Sequence, residues 1–231
     1  MLNIPFDRLN ESDFIEVPAS VPKIQTPLQW VGIGNRPHYI SVVDPFTGHP
    51  TRLWADVKLS LSLPAGERGL HMSRIERMMH TIEAEEPRPI TDFARVLVEK
   101  IIETQPQEHC RVELTAEYEL LVDKNPSGKP SHELSKLHLA AEYNKGVIKS
   151  ETGMTAKFMN ACPCAQRWGI RGFADKLAKK GYSDEQIQDI IPEAPLQGHT
   201  QYGDATLYVH ELVEIPVLYK ILEQSSPIVR E

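Results

Sequence analysis

The hydrophobic positions of this chain change period several times, and each change marks an element. Leu53, Ala55, Val57, Leu59, Leu61 and Leu63 alternate with Trp54, Asp56, Lys58, Ser60 and Ser62, which predicts a long strand with one buried face. Pro64-Ala65-Gly66 ends it. The chain then passes through Arg68-Gly69-Leu70-His71-Met72-Ser73-Arg74 into a helical period. Ile75, Met78, Met79 and Ile82 share one face there, and Ser73 and Glu76 have the spacing of a capping box. Pro87 and Pro89 precede a second helix, with a stripe of Phe93, Val96, Leu97 and Ile101 and an N-cap at Thr91 or Asp92. Alternation returns from Val112 to Val122 and again at Leu137, Leu139, Ala141 and Tyr143, either side of the turn-rich Asn125-Pro126-Ser127-Gly128-Lys129-Pro130. Strands polar on one face and apolar on the other predict an α+β chain, with helices covering one face of an antiparallel sheet.

The second half starts the same order again. Val147 to Met159 reads as a strand, and Arg167 to Ile191 as a helix in two pieces broken at Gly181, with a capping box at Ser183 and Gln186. Ala205 to His210 alternates once more, and Pro216 opens a last helix carrying Leu218, Ile221 and Leu222. Before Pro37 no period persists; Pro5, Pro18, Pro22 and Pro27 punctuate the stretch. The expected division is an extended leader over 1–35, a first module over 36–145, and a similar second module over 146–231 that stops before its closing strands.

Composition narrows the function classes. The 231 residues are 41% hydrophobic and 25% charged, ordinary for a soluble globular protein, and the net charge of −7 excludes a generally basic nucleic-acid binder. No apolar run approaches membrane-spanning length, and the first residues lack the pattern of a signal peptide. Three cysteines argue against a disulfide framework and for a reducing cytoplasm.

Two of those cysteines carry the candidate chemistry. Cys162-Pro163-Cys164 places two thiols one residue apart, and His199 follows in Gly198-His199-Thr200-Gln201. Two thiolates and an imidazole suit a borderline divalent metal, but Cys-x-Cys without a second pair is not zinc-finger spacing. An open, catalytic site is the expectation. His71 and Arg74, at the start of the first helix, are candidates to meet a phosphate, because N–H groups and the helix dipole favour anions there. Cys110 reads as a packed thiol, and the acidic run from Glu113 to Glu119 as a solvated face. His80, His109, His132, His138 and His210 fall in patterns that supply no partner, so they read as surface or strand positions.

Taken in order, Arg68-Gly69-Leu70-His71-Met72-Ser73-Arg74, Ala161-Cys162-Pro163-Cys164-Ala165-Gln166 and Pro195-Leu196-Gln197-Gly198-His199-Thr200-Gln201 resemble the type IB GTP cyclohydrolases. The long helical insert before His199 is closer to the archaeal branch. The resemblance implies a tunnelling fold with two modules per chain and a homo-oligomer, dimer or tetramer. It implies a cytoplasmic enzyme that uses Fe, Mn or Zn to hydrolyse GTP, releasing formate and a 7,8-dihydroneopterin phosphate for pterin and folate synthesis. Cys162 and His199 become the catalytic residues; Cys162, Cys164 and His199 the metal ligands, with Cys164 either a ligand or the more mobile thiol; His71, Arg74 and Gln201 the substrate contacts. Two departures stand out. The family's His-Asn-Gln-Arg is His199-Thr200-Gln201-Tyr202 here, and the acidic residue, histidine and closing strands expected after Ser225-Ser226-Pro227-Ile228 do not follow. Those departures invite one rival, a non-catalytic or truncated homologue serving as a binding or assembly subunit; a second rival is a tunnelling-fold enzyme using a cysteine nucleophile on a purine-like substrate.

Overall fold

The computed structural model describes residues 20–105, 107–122, 130–161, 163–194 and 200–225, together with Pro18. Among them are strands β1 (Leu28–Val43), β2 (Pro50–Leu63), β3 (Arg88–Pro89), β4 (His109–Val122), β5 (Ser131–Asn144), β6 (Val147–Ala161) and β7 (Thr200–Val209). The helices are α1 (Met72–Glu83), α2 (Ile90–Thr104), α3 (Pro163–Lys179), α4 (Asp184–Ile190) and α5 (Ile215–Ser225), with a 3-10 turn at Ile191–Glu193. The strands make one seven-stranded sheet in the order β3-β1-β2-β4-β5-β6-β7. β2 is antiparallel to both β1 and β4, and the short β3 runs parallel to β1 at Val42 and Val43. The expected α+β class and mostly antiparallel sheet are present.

The chain divides into two compact units that are not consecutive in sequence. The first takes residues up to 118 with 136–154 and 207–219; the second takes 119–135, 155–206 and 220–231. The first holds most of the core. Val57, Leu59 and Leu61 of β2, Val112, Leu114 and Ala116 of β4, and Leu137, Leu139 and Ala141 of β5 are all buried. Ile75, Met78, Met79 and Ile82 of α1 are buried with them, as the helical period predicts. In α2 the buried stripe is Ile90, Phe93, Ala94, Leu97, Val98 and Ile101. Val96, expected inside, is half-buried, because Val98 and Ala94 face the core instead. The second unit's helices break at Gly181, whose φ of +92° suits a residue without Cβ. Ser183 and Gln186 then form the predicted capping box at α4.

β1 is the main correction. It begins at Leu28, inside the stretch 1–35 expected to lack regular structure. Its register against β2 shifts twice, between Leu28 and Val31 and between Ile33 and Arg36, and Asn35 has a φ of +51°. Two irregularities in sixteen residues erase any period of two. Pro37 is tolerated because β3 covers β1 only at its last two residues, so most of β1 is an edge. Gly32 is required by close approach: a Cβ there would lie 1.8 Å from the backbone oxygen of Leu59. Gly32→Ala is therefore expected to force β1 and β2 apart and cost roughly 1–3 kcal/mol, read as a lower urea midpoint; an unchanged midpoint would contradict the contact.

The caps of α1 and α2 also differ from expectation. His71 takes the N-cap place of α1 and no side chain caps it, so Ser73 lies inside the helix. Glu76, the expected partner, is drawn to β1 by a 2.7 Å ion pair with Arg36. Pro89 precedes α2, again without a side-chain cap, and Asp92 falls within the first turn, where its charge suits the dipole.

Candidate functional site

The turn before α1 is held from below. Leu70 is buried, and the His71 carbonyl accepts the N–H groups of Arg74 at 3.0 Å and Ile75 at 3.3 Å, starting the helix. The same residue is gripped by Gln105, just past the end of α2: its Oε1 accepts the His71 N–H at 3.0 Å and its Nε2 donates to the His71 carbonyl at 3.3 Å. A third tie runs from Gln107 Nε2 to Glu67 Oε2 at 3.1 Å. His71 and Arg74, both half-buried, are thus brought together on one first turn of helix. Gln105 was invisible in the sequence, since a glutamine after a helix has no distinguishing pattern.

The thiol segment belongs to the second unit. β6 ends at Ala161 and α3 starts at Pro163, a first-turn position that suits proline's fixed φ and missing donor. Cys164 follows in that first turn and is exposed. Cys162 and His199 lie outside the described residues. Among the described residues no group of three or more His, Cys, Asp or Glu side chains could hold a metal. Gln201 is the second residue of β7.

The strands leading to those two motifs are neighbours. Thr155 Oγ1 of β6 and Thr206 Oγ1 of β7 are 2.8 Å apart. Earlier on β6, the Tyr208 ring lies so close over Gly153 that a Cβ there would meet it at 2.5 Å. Thr152 Oγ1, fully buried, donates to the Glu211 carbonyl at 3.0 Å. Partner numbers fall along β7 as they rise along β6, so the strands are antiparallel. Ala161 is six residues beyond Thr155, and Thr200 six before Thr206; β6 ends and β7 begins at the same end of the sheet.

The outer face of the sheet is polar and internally paired. Arg111 bonds Glu142 at 2.9 Å and Glu113 at 3.0 Å, and Lys58 reaches Glu113 at 2.7 Å. An open bay of about 760 Å³ lies beside it, lined by residues that include Arg111, Lys149 and His210. The histidines read as lacking partners have them: His210 meets Glu151 at 2.9 Å, His132 meets Glu119 at 3.0 Å, and His80 meets Glu83 at 3.6 Å. His109 sits edge-on to Trp30, while His138 lies beside the Tyr208 ring and 3.4 Å from Thr115 Oγ1. Burial first, then Lys136, pushes the His138 pKa down. The His80 pair lies within α1, at i and i+3, whereas the others join segments distant in the chain, which no single stretch of sequence displays.

The Lys58 hydrogen bond, opposed by burial and aided by Arg111, holds the Glu113 carboxyl below the ordinary glutamate range. A depressed folded pKa means stabilisation that is present above the unfolded value and lost as pH falls through the folded one. Urea midpoints should therefore decline below about pH 4.5, and Glu113→Gln should remove part of that decline. A wild-type-like acid profile in the variant would contradict it.

The described thiols differ sharply. Burial raises the Cys110 pKa to about 12, and the side chain is 0% exposed. Iodoacetamide at pH 8 should label Cys164 in the folded chain and Cys110 only after denaturation. Rapid native labelling of Cys110 would mean the β4 core opens.

Residues 14–228 match the family model for type I GTP cyclohydrolase folE2, and the chain belongs to that family of enzymes. Relatives named GTP cyclohydrolase MptA are similar along most of it. The protein from Methanococcus aeolicus is 27% identical over 219 residues, covering 90% of this chain and 69% of its own length. The Haloferax volcanii protein is 25% identical over 199 residues, covering 84% and 64% respectively. The Methanococcus maripaludis protein is 27% identical over 218 residues, covering 89% and 67%. The chain spans about two thirds of the length of these relatives. No helix among the described residues is long and apolar enough to cross a membrane.

Proposed function

We propose that the protein hydrolyses GTP in the cytoplasm, releasing C8 of the guanine as formate and leaving a 7,8-dihydroneopterin phosphate for pterin and folate synthesis. One observation carries it: β6 ends at Ala161 and its antiparallel neighbour β7 begins at Thr200, next in sequence to Cys162 and His199. Two motifs almost forty residues apart thereby leave the same end of one strand pair. Cys162, Cys164 and His199 are the proposed ligands of one divalent ion, Fe, Mn or Zn. Thiolates and imidazole match a borderline metal, and three donors leave a position open. When bound, such an ion supplies a water that deprotonates near neutral pH. His71 and Arg74 contribute the positive end of α1 and a guanidinium for the triphosphate, and Gln201 a polar contact to the substrate.

The test is turnover of GTP carrying 13C at C8, followed by NMR. Labelled formate is the expected product, lost after chelation and regained when Fe(II), Mn(II) or Zn(II) is added. Absence of formate from metal-loaded protein would shift the assignment to the binding or assembly subunit that Tyr202, in place of the family's arginine, favours. Covalent trapping of a cysteine by substrate analogue without metal would favour the cysteine-nucleophile enzyme.

A tunnelling-fold homo-oligomer, dimer or tetramer, belongs to the same proposal. The outer side of the terminal β7 and most of the outer side of β1 have no strand partner among the described residues, and such edges invite pairing with another copy. Light scattering at micromolar concentration should give a dimer or tetramer, and a stable monomer would count against it.

A further inference from the structure

We infer that Gln105 is the positioning residue of the phosphate-binding turn: its side-chain amide holds the His71 backbone N–H and C=O so that His71 and Arg74 face substrate from a preformed helix start. The inference rests on the proposed role of that turn. Gln105 is 3% exposed, one of the few buried polar residues described. Its own N–H donates to the Ile101 carbonyl at 2.7 Å, ending α2, and its side chain spends both amide groups on the N–H and C=O of one residue, His71. A donor and an acceptor on a planar amide, matched to the N–H and C=O of a single residue, fix that residue in place and in rotation. Gln107 ties Glu67 at the other end of the same turn, so the segment leaving α2 holds the turn at two points.

The side-chain cap that the sequence promises for α1 is absent, and Gln105 does the work instead. A cap from Ser73 would order only the helix start. A clamp from α2 fixes the turn against the core, where Phe93, Leu97 and Ile101 anchor the helix. Positioning of anion-binding groups before substrate arrives avoids an ordering cost at the moment of binding. Loss of the clamp should therefore be felt in triphosphate affinity beyond its effect on stability.

The experiment compares the intact protein with Gln105→Leu, Gln105→Glu, Arg74→Ala and Thr152→Val. Thr152→Val is the control for destabilisation, because it removes a fully buried hydroxyl that bonds Glu211 and Val213 away from the turn. Inorganic tripolyphosphate binding is measured by calorimetry, and amide exchange of the 69–75 segment by mass spectrometry. Gln105→Leu should weaken tripolyphosphate at least tenfold and speed exchange in 69–75 while β4 stays protected. Gln105→Glu keeps the volume and the acceptor for the His71 N–H but loses the donor, so it should fall between Leu and wild type. Thr152→Val should leave both readouts at wild-type values. If Arg74→Ala weakens binding and neither Gln105 variant does, the positioning role is wrong while the phosphate turn stands. If wild type fails to bind, or Arg74→Ala binds as wild type does, the phosphate turn itself is wrong and the positioning role falls with it. Affinity loss in Thr152→Val equal to that in Gln105→Leu would reduce Gln105 to a general stability effect.

Discussion

Cys162→Ala and His199→Ala are each expected to cut formate release from GTP by about a thousandfold or more, which corresponds to roughly 4 kcal/mol of barrier. The size follows from what each residue is proposed to do. A site with three protein donors that loses one holds its ion weakly, and with the ion goes the water that would attack the purine. Metal content, measured by plasma mass spectrometry after desalting, should fall in the same variants. Cys164→Ala separates two roles for the exposed second thiol. As a ligand, Cys164 would lose metal and activity together on substitution; as a mobile thiol, it would lose activity with the metal retained. Activity within tenfold of wild type in Cys162→Ala would sink the proposed ligand set.

Phe93→Ala should be the most damaging core substitution, costing about 3–5 kcal/mol. Phe93 is 1% exposed and is the bulkiest of the fully buried side chains among the described residues, within the α2 stripe. Removing the ring leaves a cavity that a packed core closes only in part. A domain's whole stability is only about 5–15 kcal/mol, so the variant should lose a large share of it. The urea midpoint should fall with an unchanged m-value, and the turn before α1 should loosen because α2 carries Gln105. Loss below 1 kcal/mol would mean the α2 core is far more plastic than its burial implies.

Regular elements were legible in the sequence wherever burial repeats along one stretch. The faces of β2, β4 and α1 follow directly from alternation and from a spacing of three and four, and the α4 capping box lies within four residues. β1 was not legible: two register shifts, Asn35 with positive φ, and Pro37 scramble its period. Its strand character comes from pairing with β2, a partner that local sequence does not reveal.

The sequence by itself determined the α+β class, the family of the chain, and the residue types that carry its proposed chemistry. Those depend on short-range pattern: side-chain period, helix punctuation at Gly181 and Pro163, and three motifs in a particular order. Tertiary structure decided what depends on partners distant in the chain. It brought the ends of β6 and β7 to one end of the sheet, gave His210 and His138 their neighbours, and drew Glu76 to Arg36 so that Ser73 caps nothing. It also spent the amide of Gln105 on His71, thirty-four residues away. A hydrogen bond of that kind depends on where two helices pack, and packing is set by the summed burial of many side chains, so no local pattern announces it.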